Sequence, residues 1–282
     1  MDLPSISIVT PSYNQGRYLE ATIQSVLLQR YPHVEYIVID GGSTDESVSI
    51  IEKYATSLHY WCSEPDRGQA DALRKGFDRC SGDVMCWLNS DDLLLPGALT
   101  RIGEYFVRHP RVTAVSAGGY MITDRGVPYP RLANYTLGVS ASYNRFRFYG
   151  QEGVYQQATF WRRDAFVAAG GINPAFGFTM DLDLFLRLAR TRRFGKLPRL
   201  VACFRQHPES KTTTAQAIHE TERSSLLSKH AGTVPRPVRA LCRECYTMMS
   251  KARKAYLLAK KHLTLIELPD TRDLRYDEDV EL

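Results

Sequence analysis

The 282-residue sequence has no run of the ~18 apolar residues that a membrane-spanning helix needs, which predicts a chain without one. Its six cysteines, at 62, 80, 86, 203, 242 and 245, form neither a disulfide framework nor paired metal knuckles. That pattern, with no basic and apolar leader after Met1-Asp2-Leu3-Pro4, leads to the expectation of a reduced, cytoplasmic protein. Internal repeats and low-complexity tracts are also missing. The first apolar strand is followed by no Gly-x-Gly-x-x-Gly, which disfavours a dinucleotide-dependent oxidoreductase.

What is there suits a globular α/β protein. Hydrophobic residues make up 44% and charged residues 24%, enough to build a core and to exclude global disorder. The net charge of +5 is uneven: residues 1–228 carry +2, residues 229–262 carry +8 and the last twenty carry −5. The division predicted is a domain over 1–228 and a basic helical extension with an acidic tip over 229–282.

Strand and helix signals alternate through the first hundred residues. Residues 5–10 read as a strand stopped by Pro11, and Leu19, Ile23, Val26 and Leu27 then recur at helical spacing. Further strands are predicted over 35–39, 58–62 and 84–88, with helices beginning at Asp45 and Gln69. Later, helices are predicted over 98–109, 160–169 and 180–189, a strand over 199–205, and an irregular stretch between Gly118 and Gln157. This pattern predicts a mostly parallel central sheet flanked by helices. Ligands in such sheets bind beyond the carboxyl ends of the strands, where Thr10, Asp40, Glu64 and residues 89–92 fall.

The strongest chemical signal is Asn89-Ser90-Asp91-Asp92. Two adjacent carboxylates at the end of a buried strand repel each other, and a divalent cation relieves the repulsion. A helix cap is the bland alternative, and the pair alone does not separate the two. Three loops at neighbouring strand ends favour the metal: Thr10-Pro11-Ser12-Tyr13-Asn14, Asp40-Gly41-Gly42-Ser43-Thr44-Asp45, and Asp66-Arg67-Gly68-Gln69-Ala70-Asp71. In the helical pattern from Met180, Asp183 faces Arg187 one turn on, and an ion pair explains it. Asp181 shares its face with Leu184, Phe185 and Leu188, at the mouth of an apolar stripe suited to a general base. The segment Phe204-Arg205-Gln206-His207-Pro208-Glu209-Ser210-Lys211 offers Arg, His and Lys groups for a diphosphate.

In this order and spacing, residues 5–215 closely resemble an inverting family 2 glycosyltransferase of the GT-A fold. The resemblance implies an α/β domain that binds a nucleotide-diphosphate sugar, with UDP-sugars favoured, and uses Mn²⁺ or Mg²⁺. It puts Thr10, Pro11, Ser12, Tyr13, Asn14, Asp40, Gly42, Ser43, Asp66, Gly68, Asp71 and Asp91 around the nucleotide sugar, with Asp40 on the base and Asp91 on the ribose side. Asp92 is implied as direct metal ligand, His207 as a metal or diphosphate contact, and Arg205 and Lys211 as phosphate contacts. Asp181 matches the family's catalytic base, with Met180 where a Glu often stands. Gln156 matches a sugar-side or acceptor-side position. Asn89 and Ser90 depart from the family's usual Asp and Ala. The implied acceptor is a bacterial surface glycan or a lipid-linked glycan.

Two rivals share parts of this pattern. A sugar-1-phosphate nucleotidyltransferase should carry a Gly-rich basic loop after the first strand, where only Gly16 and Arg17 stand. A non-catalytic sugar-nucleotide-binding protein should have lost acids that are all present. Residues 236–262 form a basic amphipathic helical pattern, suited equally to an anionic membrane surface on the inner face of the cell membrane and to packing on its own domain or a partner. Cys242-x-x-Cys245 lies within it and reads as two small apolar residues. Nucleic acid is disfavoured, since no recognition module accompanies the charge.

Overall fold

The computed structural model describes residues 2–129, 135–137, 154–191, 194–211 and 215–231, with single positions at 237, 241, 244 and 248. The basic helix expected over 236–262 and the Cys242/Cys245 pair therefore lie outside the described residues, apart from four positions of that helix. The expected α/β class is found, one sheet flanked by helices.

Strands β1 (Ile6–Ser12), β2 (Val34–Asp40), β3 (Tyr60–Ser63) and β4 (Val84–Trp87) pair in parallel in the order β3-β2-β1-β4. β1 is central, and all seven of its residues are buried. The connecting helices are α1 (Gly16–Leu27), α2 (Ser47–Lys53) and α3 (Gln69–Phe77). Each presents a spaced apolar face, such as Leu19, Ile23 and Val26 of α1, to the sheet. Because these strands run the same way, their carboxyl ends and the loops that follow open on one edge.

Beyond β4 the ladder becomes mixed. β5 (Leu93–Leu94), β6 (Ala114–Ile122), β8 (Thr159–Arg162) and β9 (Phe194–Arg205) continue the order as β4-β8-β6-β9-β5, and β7 (Tyr135–Leu137) pairs with β6. Only β6 and β9 run parallel there. Helices α4 (Ala98–Arg108), α5 (Arg163–Ala168), α6 (Met180–Thr191) and α7 (Gln216–Ala231) complete the described elements. Trp87 and Trp161 meet edge-on at 5.5 Å beneath the β4–β8 junction, with Phe77 6.0 Å from Trp161.

Three elements differ from the pattern reading. Pro11 continues β1 instead of stopping it. Val9 offers its carbonyl to Leu88 on the β4 side, so strand alternation turns Pro11 to that side, beyond the last paired residue, Val9. Phe160–Arg162, expected as the start of a helix, belong to the strand Thr159–Arg162 between β4 and β6, and the helix begins only at Arg163. Gly118 and Gly119 belong to β6, at a register shift where it meets β9, and not to an irregular stretch.

The fit of α3 against the sheet is close, and this helix carries Gln69 and Asp71 to the strand-end edge. A Cβ on Gly76 would collide with Val9 Cγ1 and come within 3.2 Å of Ile39 Cγ1. Gly76→Ala should therefore lose about 1–3 kcal/mol to overpacking, more than the ~1 kcal/mol that helix propensity returns. Denaturant unfolding reads the balance: an unchanged or higher midpoint would mean that the sheet yields to the added methyl.

Candidate active site

The loops after β1 and β2 are tied to one another. Asp40 is fully buried, and its carboxylate accepts from the Ser43 hydroxyl (2.5 Å), the Gly42 and Ser43 amides (3.1 and 2.8 Å) and the Ser63 hydroxyl (2.7 Å). Gly42 takes φ +81°, the left-handed turn that lets its amide point back at Asp40. The Asn14 amide donates to Ser43 Oγ at 2.8 Å, and Thr44 returns a bond to Asn14 Oδ1 at 2.8 Å. Asp45 accepts from the Gly16 amide at 2.9 Å, closing the seam at the start of α1. Tyr13 stands out from this loop at 62% exposure.

Other members of these segments face inward or hold their own loop. Thr10 is buried, with its hydroxyl 3.0 Å from the Tyr36 hydroxyl, so that side chain belongs to the core and not to the ligand edge. Ser12 is buried at the end of β1 with an unpartnered hydroxyl. Asp66 accepts from the Gly68 amide at 2.7 Å, and Asp71 holds Arg67 with contacts of 3.3 and 3.4 Å.

The two acids after β4 occupy different environments. Asp92 is fully buried; Oδ1 accepts from the Arg205 amide at 2.9 Å and Oδ2 from Asn89 Nδ2 at 3.2 Å. Burial, reinforced by the negative charge of Asp91, pushes the Asp92 pKa well above the carboxylate range. Asp91 keeps 18% of its side chain exposed and lies 3.0 Å from His207 Nε2. The His207 ring rests 4.7 Å from that of Tyr18, and its other nitrogen is buried without a partner. The acid expected on the ribose side is thus the accessible one, and the acid expected on the metal is enclosed.

Arg205 also departs from expectation. Its guanidinium donates to the carbonyls of Asp91 (2.8 Å), Thr123 (3.3 Å) and Asp124 (3.0 Å) and lies 5.0 Å over the Tyr18 ring. Buried and bonded to three backbone carbonyls, it braces the acid loop.

A second cluster converges from the far side. Asp181, partly buried, stands in the first turn of α6, and Asp183 forms the expected ion pair with Arg187 at 2.6 Å. Lys211 lies within the electrostatic reach of Asp181 and donates to Gly177 O (2.5 Å) and Gln69 Oε1 (3.0 Å). Gln69 Nε2 donates to Asn89 Oδ1 at 2.8 Å. Asn89 Nδ2 in turn reaches Asp92 and, at 3.5 Å, Gln156 Oε1, while Gln156 Nε2 donates to Trp87 O at 2.8 Å. An unbroken polar bridge therefore joins the acid pair to the loop before Asp181. Gln69 and Glu222 belong to this site and were not found by pattern: Gln69 reads as a helix-starting residue, and Glu222 sits in a run of surface-like polar residues.

Asn89 is the branch point, and its amide does what a carboxylate there could not. Asn89→Asp would replace a donor to Asp92 by another carboxylate, costing about 1–3 kcal/mol in metal-free buffer at pH 8. The sign with pH follows from the raised Asp92 pKa. The native state holds that proton more tightly than the unfolded chain, so the penalty is present at high pH and fades as pH falls toward the carboxylate range. The gap in melting temperature between variant and wild type should narrow from pH 8 to pH 5. A gap that is constant or wider in acid would show that Asn89 lies outside the field of the acids.

The family "Glycosyl transferase family 2" matches residues 7–168. An uncharacterized glycosyltransferase of Mycobacterium tuberculosis is 33% identical over 190 residues, 66% of this chain and 69% of that protein. The crystal structure of S. aureus TarS 1-349 in complex with UDP-GlcNAc superposes with a TM-score of 0.63 at 14% identity, covering 83% of this chain and 69% of the other. The mannosyltransferase PcManGT from Pyrobaculum calidifontis, in complex with GDP-Man and Mn²⁺, gives 0.60 at 18% identity, covering 95% and 78%. The two structures share the fold, and the sequence match extends through the strand-end loops and the acid pair: this chain belongs to glycosyltransferase family 2.

Proposed function

We propose that this glycosyltransferase moves a sugar from a nucleotide-diphosphate sugar, a UDP-sugar first among them, to a hydroxyl of a glycan or lipid-linked acceptor, with inversion and with Mn²⁺ or Mg²⁺. The observation that carries the reading is the polar bridge from the acid pair through Lys211 to the Gly177 carbonyl in the loop before Asp181. It links a diphosphate-facing pair and a base-bearing helix at one strand-end edge. The UDP-GlcNAc and the GDP-Man with Mn²⁺ held by the two structural neighbours support a donor and a cation of these classes.

Asp91 and His207 fit a small divalent cation. They converge to 3.0 Å on the open side of the acid loop, and no cluster of three or more acid, His or Cys ligands exists among the described residues. Mg²⁺ and Mn²⁺ suit such sparse sites because substrate phosphates and water complete the coordination. The burial of Asp92 supports Asp91 as the ligand, with Asp92 holding the loop. When bound, the cation would neutralise charge developing on the departing diphosphate.

The remaining chemistry falls to the chain itself. Asp181 takes the acceptor proton as the acceptor oxygen attacks the anomeric carbon and the bond to the diphosphate oxygen breaks on the opposite face. Lys211 holds the loop that leads into the helix of Asp181 through its bond to Gly177 O. The seam of Asn14, Ser43 and Asp40, with Ser12 beside it, shapes the nucleoside pocket. Gln156 lines the sugar side beneath Asn89.

Asp181→Asn should retain nucleotide-diphosphate binding and lose about 10²–10⁴-fold in turnover; near-normal turnover would remove the base role. Calorimetry of UDP, GDP, dTDP and CDP with and without Mn²⁺ tests the donor. One diphosphate should bind more tightly with the metal, and Asp91→Ala should erase that difference; an undiminished metal effect would exclude Asp91. We also assign the basic stretch 236–262 to an anionic membrane surface, so truncation before Arg236 should weaken flotation with anionic liposomes. Equal flotation would end that assignment.

A further inference from the structure

Glu222 lies on α7, far along the chain from the strand-end loops, yet it grips the backbone that leads into the helix of Asp181. Its carboxylate accepts from three successive amides: Gly177 at 3.0 Å, Phe178 at 2.9 Å and Thr179 at 3.1 Å, with the Thr179 hydroxyl at 3.2 Å. Burial alone would raise the pKa of Glu222, but these donors outweigh it and hold the carboxyl below its ordinary range. The first amides of a helix and of its entry lack intrahelical partners, and a local side chain usually caps them. Here Asp181 takes the Leu182 amide, at 2.7 Å, and Thr179 turns its hydroxyl toward Glu222. From the opposite side, Lys211 donates to Gly177 O at 2.5 Å and lies 4.6 Å over the Phe178 ring.

We infer that Glu222 is a positioning residue for the transfer step, setting where Asp181 stands through the backbone of residues 177–179. The inference rests on the reading of Asp181 as the base. Met180 and Asp181 follow the clamped triplet directly, so the height and rotation of the first turn of α6 are fixed by Glu222 on one side and Lys211 on the other. A base acts only within hydrogen-bond reach of the proton it removes, and a shift of about 1 Å can cost on the order of 10²-fold. Among the described residues, the hydrogen bonds of Glu222 go to residues 177–179 and none reaches the loops after β1 and β2 or the Asp91–His207 pair. Its loss should therefore separate donor binding from turnover.

The test uses the full chain with Glu222→Gln, and with Thr179→Ala as a milder change that removes one bond of the same clamp. Kinetics are measured well below each variant's melting temperature, beside calorimetric binding of the nucleotide diphosphate. The expected result for Glu222→Gln is nucleotide-diphosphate affinity within about twofold of wild type and kcat lower by about tenfold to a hundredfold. Thr179→Ala should fall between the two. A lower melting temperature with kcat within about twofold of wild type would make Glu222 a structural brace only and overturn the inference. Asp181→Asn, run in parallel, separates the failures. If it turns over normally, the base reading falls and the positioning role falls with it; if it is inactive while Glu222→Gln is normal, only the positioning role is lost.

Discussion

A carboxylate sealed in a protein interior must find donors or give up its charge, and Asp92 organises this site through that requirement. One oxygen takes the amide at the end of β9 and the other takes Asn89, so the loop after β4 is pinned to a strand on the far half of the sheet. The Thr22 hydroxyl of α1 adds bonds of 2.9 Å to the carbonyls of Ser90 and Asp92. With Asp92 fixed inward, its neighbour turns toward the open edge. Arg205, bound to the Asp91 carbonyl, then holds the same loop from the other side. The accessibility of Asp91 thus depends on the enclosure of Asp92.

The same loop reaches across the molecule by way of Asn89, Gln69 and Lys211. Each member both donates and accepts except the lysine, which closes the series on a backbone carbonyl. Asn89 can do this because an amide presents both kinds of group, one to the acid and one to the glutamine. Where the family resemblance implies an Asp, this chain therefore has an amide that connects the acid pair to the loop before Asp181.

How much of this was legible follows from the range over which each signal acts. The parallel strands and their terminal loops were readable because buried strands and amphipathic helices leave short-range patterns, and the Asp183–Arg187 pair because one turn of helix fixes its spacing. Residues 159–162 were not, since a short apolar run suits a buried strand and a helix equally. Arg205 and Thr10 were recognised as part of the motif, but their direction depends on strand register, which sequence spacing does not carry. Glu222 left no signal at all, because its partners lie more than forty residues away and are backbone groups.

The seam between the loops after β1 and β2 bears on how the specificity of such an enzyme could change. Asn14, Ser43, Thr44, Asp45 and Gly16 exchange bonds across it, so neither loop takes its shape independently. With the proposed nucleoside pocket on this edge, a nucleotide would find walls already assembled and spend little of its binding energy on ordering them. The same rigidity makes the two loops a single heritable unit. A substitution that reshapes one wall strands a donor or an acceptor on the other, so a new base preference would have to arise through paired changes, one on each side.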